Sequence, residues 1–436
     1  MKKILLSSDF RNTACNQLWK VVSGPLILIL IPLYLSSEIQ GYWYTFISLA
    51  ALAIFADMGF STILLQFSAH EYAHLEFYND GKNLRGKKKH LVRLATLWRF
   101  AMKWALTVAL FAFPVILFLG YFFLERKETQ IDWLFPWVIY VFASSIVFIN
   151  SMILSFIEGC NSVGEIQKIR LFISFVTVIT TVLLLISDVK LYALSLALFL
   201  GAISGSLYII FRYKSLLLQL YQVSKKEFYP WKNEIMPLLW RYAVSWVSGY
   251  FIFQMFTPIA FHYYGAVEAG KVGLTIAICT AVFGIANIWM TIIMPKMNIL
   301  IAHKDYKKLD HIFRRHLFLA VLSYIFAIAI LFGIINFLND IFPLFDRVVS
   351  NFSLLIITIS WLVQIIINGY AMYMRAHKEE PLFVLSFISG LYVVCATLLV
   401  VHFFSFEYFF IGFLSSYIFI LPWVMKIFHR YKGGYS

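Results

Sequence analysis

Long apolar blocks follow one another along this chain, each closed by a short cluster of charged or turn residues. A block of roughly 20 apolar residues is enough for a helix to cross the hydrocarbon of a bilayer. The pattern predicts twelve such helices, at 13–35, 41–66, 100–124, 133–157, 169–187, 190–212, 236–260, 272–295, 316–338, 352–374, 382–402 and 405–427. Ser187-Asp188-Val189-Lys190 alone divides the fifth from the sixth. No stretch between the blocks is long enough for a separate soluble domain. The pattern therefore predicts an all-α integral membrane protein.

Composition points the same way. The chain is 61% hydrophobic and 13% charged, with a mean hydropathy of +0.80, whereas soluble domains carry roughly 45–50% apolar and about 25% charged residues. Aromatic residues, 19% of the chain, suit lipid-facing helices with interfacial Tyr and Trp. The net charge of +14 could suggest a nucleic-acid partner, but its placement excludes that reading. With the N-terminus inside, only Arg126, Lys127, Lys190, Lys271 and Arg347 of the 36 Lys and Arg fall in outer segments. The other 31 fall in cytoplasmic ones, as the positive-inside rule requires. The charge thus reports topology, with both termini cytoplasmic. The four cysteines are scattered, with no C-x-x-C pair, and imply neither a disulfide framework nor a metal site. The first apolar run has no small-residue cleavage site and reads as a span, not a signal peptide.

A weak repeat runs through the chain. Val22-Ser23-Gly24 recurs as Val247-Ser248-Gly249, Pro32 as Pro258, and Ile149-Asn150 as Ile367-Asn368, each about half the chain apart. This predicts two pseudo-symmetric six-helix lobes, 1–212 and 236–436, joined by a cytoplasmic connector at 213–235. Parallel repeats of this kind occur in transporters, with the substrate path between the halves.

Two motifs tempt and fail. His70-Glu71-Tyr72-Ala73-His74 has the H-E-x-x-H form of a zinc site, but no acidic residue follows between Asp80 and Glu125, and Phe77 and Asp80 break the metzincin extension. It reads as a polar helix continuing the second span into the cytoplasm. Gly81 to Lys87 nearly spells a phosphate-binding loop, but Lys88 stands where a Ser or Thr would hold Mg²⁺. The basic run from Lys82 to Arg99 reads as a topology determinant, with anionic headgroups as the other candidate. No metal, cofactor or catalytic centre is expected.

Polar residues inside spans are costly and carry functional weight. Asp57, near the cytoplasmic end of the second span, needs a partner, and Lys20 lies at similar depth in the first. The two read either as a structural pair or as a coupling switch. Asn12, Asn16, Lys20 and Ser23 recur at helical spacing as one stripe, and Gly24-Pro25 with Pro32 would interrupt and hinge that helix. The seventh span echoes it with Arg241, Ser245, Ser248, Gly249 and Pro258. Asn150, Asn287, Gln364 and Asn368 are further buried amides, and Gly201-x-x-x-Gly205 permits close helix approach.

Several segments carry a resemblance. Asn16-Gln17-x-Trp19, Gly24-Pro25, Pro32-Leu33-Tyr34-Leu35-Ser36 and Glu38-Ile39-Gln40-Gly41-Tyr42-Trp43 open the chain. Ala56-Asp57-Met58-Gly59-Phe60 with Gln66-Phe67, and Arg375-Ala376-His377-Lys378, follow. Together they resemble the polysaccharide-unit (Wzx-like, O-antigen) flippases of the multidrug/oligosaccharidyl-lipid/polysaccharide (MOP) exporter superfamily, over the whole chain. The resemblance implies a MATE-like pair of lobes around a cavity with alternating access, in a bacterial cytoplasmic (inner) membrane. The implied cargo is an oligosaccharide on polyprenyl diphosphate, moved to the outer leaflet for surface polysaccharide synthesis, with polymerase or chain-length machinery as a possible partner.

For such a cargo Lys20 and Arg241 are the leading diphosphate contacts, and Arg11 and Arg375 weaker ones. Asn16, Asn150 and Asn368 would line the cavity, Asp57 would couple or counter-charge, and Gly24 and Pro25 would hinge. A cation-coupled multidrug exporter would share the architecture but would need more intramembrane carboxylates than Asp57. An O-antigen polymerase or ligase would carry a large outer loop, which this chain lacks. A purely structural scaffold leaves the repeat unexplained.

Overall fold

The computed structural model describes residues 8–79, 82–125, 131–160, 162–338, 346–376 and 382–433. Helices α1 (Ser8–Tyr34), α2 (Ser37–Ala50), α3 (Ala53–Asp57) and α4 (Phe60–Tyr72) lead into a hairpin of β1 (Leu75–Tyr78) and β2 (Asn83–Gly86). Then come α5 (Lys88–Leu124), α6 (Leu134–Gly159), α7 (Val163–Ile186), α8 (Tyr192–Lys226), α9 (Lys232–Phe253) and α10 (Phe256–Tyr264). The chain ends with α11 (Ala266–Ala302), α12 (Tyr306–Leu338), α13 (Asn351–Ala376), α14 (Phe383–Phe403), a 3-10 turn (Phe406–Tyr408) and α15 (Ile411–Gly433).

Eleven helical segments among the described residues are long and apolar enough to span a membrane, α2 with α3 counting as one. The pair α9 and α10, bent by 42° across Gln254 and Met255, makes a twelfth. The turn between the fifth and sixth spans falls at Ser187 to Leu191, where Asp188 and Lys190 adopt positive φ of 53° and 54° and end the helix.

The expected second span, 41–66, is not one helix. It stops after Ala50 and again at Met58 and Gly59, whose φ values of 49° and 74° are left-handed and cannot continue an α-helix. Hydropathy is blind to this, because the residues on both sides of the break remain apolar. At Gly59 an added Cβ would stand 2.8 Å from the Trp246 ring and 3.0 Å from Tyr242 Cβ, so the break is packed tightly against α9. The polar helix expected over His70–His74 is formed only as far as Tyr72. The chain turns at Ala73 and His74 into the hairpin, paired from Leu75 with Gly86 to Tyr78 with Asn83. Gln219 of α8 holds it, accepting from Leu84 N at 2.8 Å and donating to Leu84 O at 2.7 Å, as a neighbouring strand would.

The chain divides into two compact units. One comprises residues up to Leu35 and Phe46–Val247, the other Ser36–Thr45 and Ser248–Ser436. The expected connector, 213–235, is taken up by the last turns of α8, residues 227–231 and the start of α9. In the first unit α1 packs on α7, α7 on α8, α8 on α6, and α6 on α4 and α5. In the second, α11 packs on α10, α12 and α13, α13 on α15, and α15 on α14. The fourth and sixth spans of each unit therefore pack together in the same way.

The short repeat is equally local. Ser23 is 5% exposed and Ser248 2% exposed, while a Cβ added at Gly24 or Gly249 would meet nothing within 4 Å. In both copies the serine is packed and the glycine faces open space. Small residues set the tightest helix contacts. A Cβ at Gly201 would lie 2.0 Å from Thr177 Oγ1, and one at Gly205 2.6 Å from Ile173 Cδ1, which brings α8 onto α7. In the second unit Gly41 of α2 leaves no space before Ala266 O, and Gln40 Nε2 donates to Gly270 O at 2.9 Å.

Gly59→Ala should destabilise the protein by about 2 kcal/mol, combining the left-handed φ with overpacking against Trp246. Gly24→Ala, which adds a methyl to empty space in a helix, should leave the melting temperature equal or slightly raised. Thermal unfolding of the two purified variants in detergent checks both, and equal melting temperatures would refute the reading of the break.

Candidate functional site

Side chains of α1 sort by direction. At about 100° per residue, Asn12, Asn16, Trp19 and Ser23 share one face, and α7 lies against it. Asn12 Nδ2 donates to Gly164 O at 3.1 Å, Asn16 Nδ2 to Gln167 Oε1 at 2.7 Å, and Trp19 Nε1 to Ser174 Oγ at 3.0 Å. The expected polar stripe is therefore largely a helix–helix seam. Lys20 departs from it. It lies at the edge of that face, toward Gln17 and Gly24, and is exposed, as is Arg11 one helical stretch earlier. Among the described residues neither cation has an ion-pair partner. The other edge of the seam is apolar, with Leu18 and Val22 exposed beside Cys15.

The expected Lys20–Asp57 pair is not formed. Asp57 is half-buried, and its carboxylate accepts the Ser61 N–H at 3.1 Å and the Ser61 hydroxyl at 2.8 Å. The broken span explains this. The restart at Phe60 leaves unpaired N–H groups in the first turn of α4, and Asp57 is the nearest acceptor. The helix is also not interrupted at Gly24 and Pro25, since α1 runs unbroken from Ser8 to Tyr34 with both Pro25 and Pro32 inside it.

The buried amides serve the packing. Asn16 is fully buried, and Gln167 links it to Glu158 (3.4 Å), which takes both guanidinium nitrogens of Arg170 at 3.2 and 2.7 Å. Asn150 donates to Ala202 O at 2.9 Å and accepts from Ser206 Oγ at 2.9 Å, so both ends of its amide are taken by α8. Asn368 donates to Asn287 Oδ1 at 2.8 Å, joining α13 to α11, and Tyr417 Oη donates to Gln364 Oε1 at 3.0 Å, joining α13 to α15. Arg375 is exposed at the end of α13. Arg241 falls in α9, and its side chain lies outside the described residues.

Several carboxylates near the span ends are paired with cations. Besides Glu158 with Arg170, Glu165 holds Arg212, Asp310 holds Lys432, and Glu268 holds Lys271 at 3.0 Å. The H-E-x-x-H motif is used in the same manner. Glu71, with a side chain only 3% exposed, meets Arg93 Nε at 2.7 Å and His90 Nδ1 at 2.7 Å. The Arg93 guanidinium lies over the rings of Tyr229 and Trp231, 4.2 and 4.8 Å from their centroids, and reaches Glu234 at 3.3 Å. Among the basic run, Arg99 donates to Ser224 O at 3.0 Å and Lys88 pairs with Glu227 at 2.7 Å. These contacts tie the segment entering α9 to α5. Sequence spacing gave no sign of the Arg93 cluster, because Trp231 lies 138 positions from Arg93.

No family model and no curated protein matches the sequence. Solved structures do match the fold. A multidrug resistance MATE family transporter of the MOP superfamily, in an inward-facing conformation, aligns with a TM-score of 0.62 at 13% identity over 95% of this chain and 99% of that one. A MOP superfamily transporter from Pyrococcus furiosus, described as having a binding pocket of reverse polarity that suggests a different function, aligns with a TM-score of 0.54 at 13% identity over 98% and 94%. An outward-facing multidrug resistance MATE transporter aligns with a TM-score of 0.53 at 13% identity over 98% and 96%. The chain is a multi-pass membrane protein with the fold of the MATE and MOP transporters.

Two outcomes follow from this wiring. Asp57→Ala should cost about 1 kcal/mol, the usual loss of a helix cap, whereas Asp57→Asn, which still accepts from Ser61, should cost only a few tenths. Comparable losses in thermal unfolding would mean that the charge itself matters. Glu71→Ala should cost about 3 kcal/mol, because it leaves Arg93 without its buried partner. EDTA should leave the wild-type melting temperature unchanged, and a drop on chelation would instead make the H-E-x-x-H segment a metal site.

Proposed function

We propose that this chain is a transporter that moves polyprenyl diphosphate-linked oligosaccharides from the inner to the outer leaflet of a bacterial cytoplasmic membrane. The flipped units would feed a polymerase for surface polysaccharide of the O-antigen, capsule or exopolysaccharide kind. The fold supports transport by alternating access, and the opening motifs support this branch of the superfamily.

The observation that carries the reading is the charge balance along α1. Arg11 and Lys20 are exposed cations without ion-pair partners among the described residues, while Asp57 is occupied by Ser61, and Glu158, Glu165 and Asp310 are held by cations. A diphosphate cannot enter hydrocarbon bare, since each buried charge costs several kcal/mol unless it is paired. Available cations in a wet path, with the lipid tail left in the bilayer, answer that cost. We assign Lys20 and Arg241, on corresponding helices of the two halves, to the diphosphate, with Arg11 and Arg375 as secondary contacts. No covalent step is involved, so the chain acts as a carrier and not as an enzyme.

A second reading, a multidrug exporter, is favoured by the fold neighbours, which are described as multidrug resistance transporters. A cationic drug needs an available carboxylate, and the carboxylates above are engaged. Polarity of the pocket is the ground on which a different function is suggested for the Pyrococcus furiosus transporter, and charge is the ground here.

Deleting the gene should abolish surface polysaccharide and accumulate lipid-linked repeat units on the inner face, with drug susceptibility unchanged. Lys20→Ala should reproduce that phenotype at normal protein levels, and Lys20→Arg should restore most of the polymer. Intact polymer in the deletion strain, or raised drug sensitivity with normal polymer, would overturn the proposal in favour of the exporter.

A further inference from the structure

The apolar edge of the α1–α7 seam is a groove of about 590 Å³, lined by Cys15, Leu18, Trp19 and Val22 of α1 and by Lys168 and Phe172 with their neighbours on α7. That volume lies within the range of small-molecule sites, roughly 300–1,000 Å³. The two helices run in the same direction, since Asn12 meets Gly164, Asn16 meets Gln167 and Trp19 meets Ser174 in order. Cys15 and Lys168 therefore mark one end of the groove, toward the basic N-terminal side, and Val22 and Phe175 the other. Between them the lining extends roughly 10 Å at 1.5 Å per residue. Trp19 and Phe175, with ring centroids 5.2 Å apart, form a rigid aromatic floor, fixed by the hydrogen bond from Trp19 to Ser174.

Lys168 is the only charged group of this lining. It is exposed, and among the described residues it has no carboxylate partner, whereas Arg170 and Arg212 on the same side are held by Glu158 and Glu165. A groove with one cation at its end and hydrocarbon walls beyond matches an amphiphile with an anionic head and an apolar chain. Trp19, Phe172 and Phe175 give those walls an aromatic lining against which an unsaturated, branched chain can pack.

We infer that this groove binds the phosphate-proximal isoprene units of a polyprenyl phosphate lipid, with the phosphate at Lys168 and the chain running past Leu18 to Phe175. The inference deepens the proposed function and rests on it for the identity of the lipid. The phosphate at Lys168 lies on the opposite edge of α1 from Lys20, so this groove is a second seat for the carrier lipid, separate from the diphosphate contacts assigned to Lys20 and Arg241.

Cys15 supplies the readout. It is exposed in the groove lining, Cys160 and Cys279 are buried, and Cys395 is the remaining exposed thiol. Purified full-length protein carrying Cys395→Ser is treated with a maleimide in detergent, and modification of Cys15 is followed by mass spectrometry. Long-chain polyprenyl monophosphate should slow that modification about tenfold at about ten times its dissociation constant. Lys168→Gln should weaken the protecting lipid about tenfold, as expected for one charge-assisted contact. Leu18→Trp, which fills the groove, should abolish protection by the lipid. Both positions are exposed, so neither variant threatens folding, and equal melting temperatures verify that.

Phosphatidylglycerol at the same mole fraction should leave the rate within about twofold of the lipid-free protein. Equal protection by phosphatidylglycerol would make the groove an ordinary anionic phospholipid site and overturn the inference. Absence of protection by polyprenyl monophosphate would overturn it as well, as would protection that survives Leu18→Trp. The deletion phenotype tests the transport reading independently. Protection in a strain background whose deletion leaves surface polymer intact would support the groove while refuting the flippase reading, and the reverse pattern would do the opposite.

Discussion

Hydrocarbon offers no hydrogen-bond partners, so every polar group that enters it must bring its own. That constraint shapes this chain at each level. The spans are helices because a helix closes its backbone hydrogen bonds within itself. Hydroxyls inside the spans fold back onto the preceding turn, as Thr358 does onto Leu354 O and Ser360 onto Ile356 O, each at 2.8 Å. Where the second span breaks, the freed Ser61 N–H is met by Asp57. Amides that project from a helix find carbonyls or amides on the next, as Asn150 does on α8 and Asn368 on α11. Against this background an exposed and unpartnered cation on a span is a departure, and the departures are what carry the functional reading.

The same constraint removes the usual force for bringing helices together, since lipid is as apolar as the side chains it touches. Close approach comes instead from small residues and from the few polar links. Gly201 and Gly205 let α8 meet α7 at the backbone, and Gly41 does the same for α2 against Ala266. Ser23 and Ser248 are the repeat positions where a small polar residue is packed in each unit.

Most of the architecture was legible because hydropathy and charge placement report on the solvent and not on any one neighbour. Span number follows from such sums, while the half-chain repeat rests on a few matched residues. What escaped depends on single backbone angles or on distant partners. Met58 and Gly59 end a helix within an apolar run, so no window average detects them. The hairpin at 75–86 is held by Gln219, 135 positions away from Leu84. The expected pairing of Lys20 with Asp57 assumed straight neighbouring helices of similar depth, and the break before α4 gave Asp57 a nearer partner. Several residues of the opening motif serve packing as well: Gln40 and Gly41 set the contact of α2 with α11, and Asn16 and Trp19 set that of α1 with α7. A motif of this kind identifies a fold more firmly than it identifies a cargo.

The first helix shows how packing on one face sorts the remaining side chains of a single element. Its central face is spent on α7 through Asn12, Asn16 and Trp19, which fixes its rotation about its own axis. Once that rotation is fixed, the two edges acquire opposite character without further design. One carries Lys20 beside Gln17 and Gly24, and the other carries Leu18 and Val22 beside an aromatic floor. A lipid-linked oligosaccharide is divided in the same way, into a charged and hydrated head that must leave hydrocarbon and a tail that must not. Under the proposed function, the edge at Lys20 would meet the charged head of such a cargo, and the apolar edge would seat the carrier lipid.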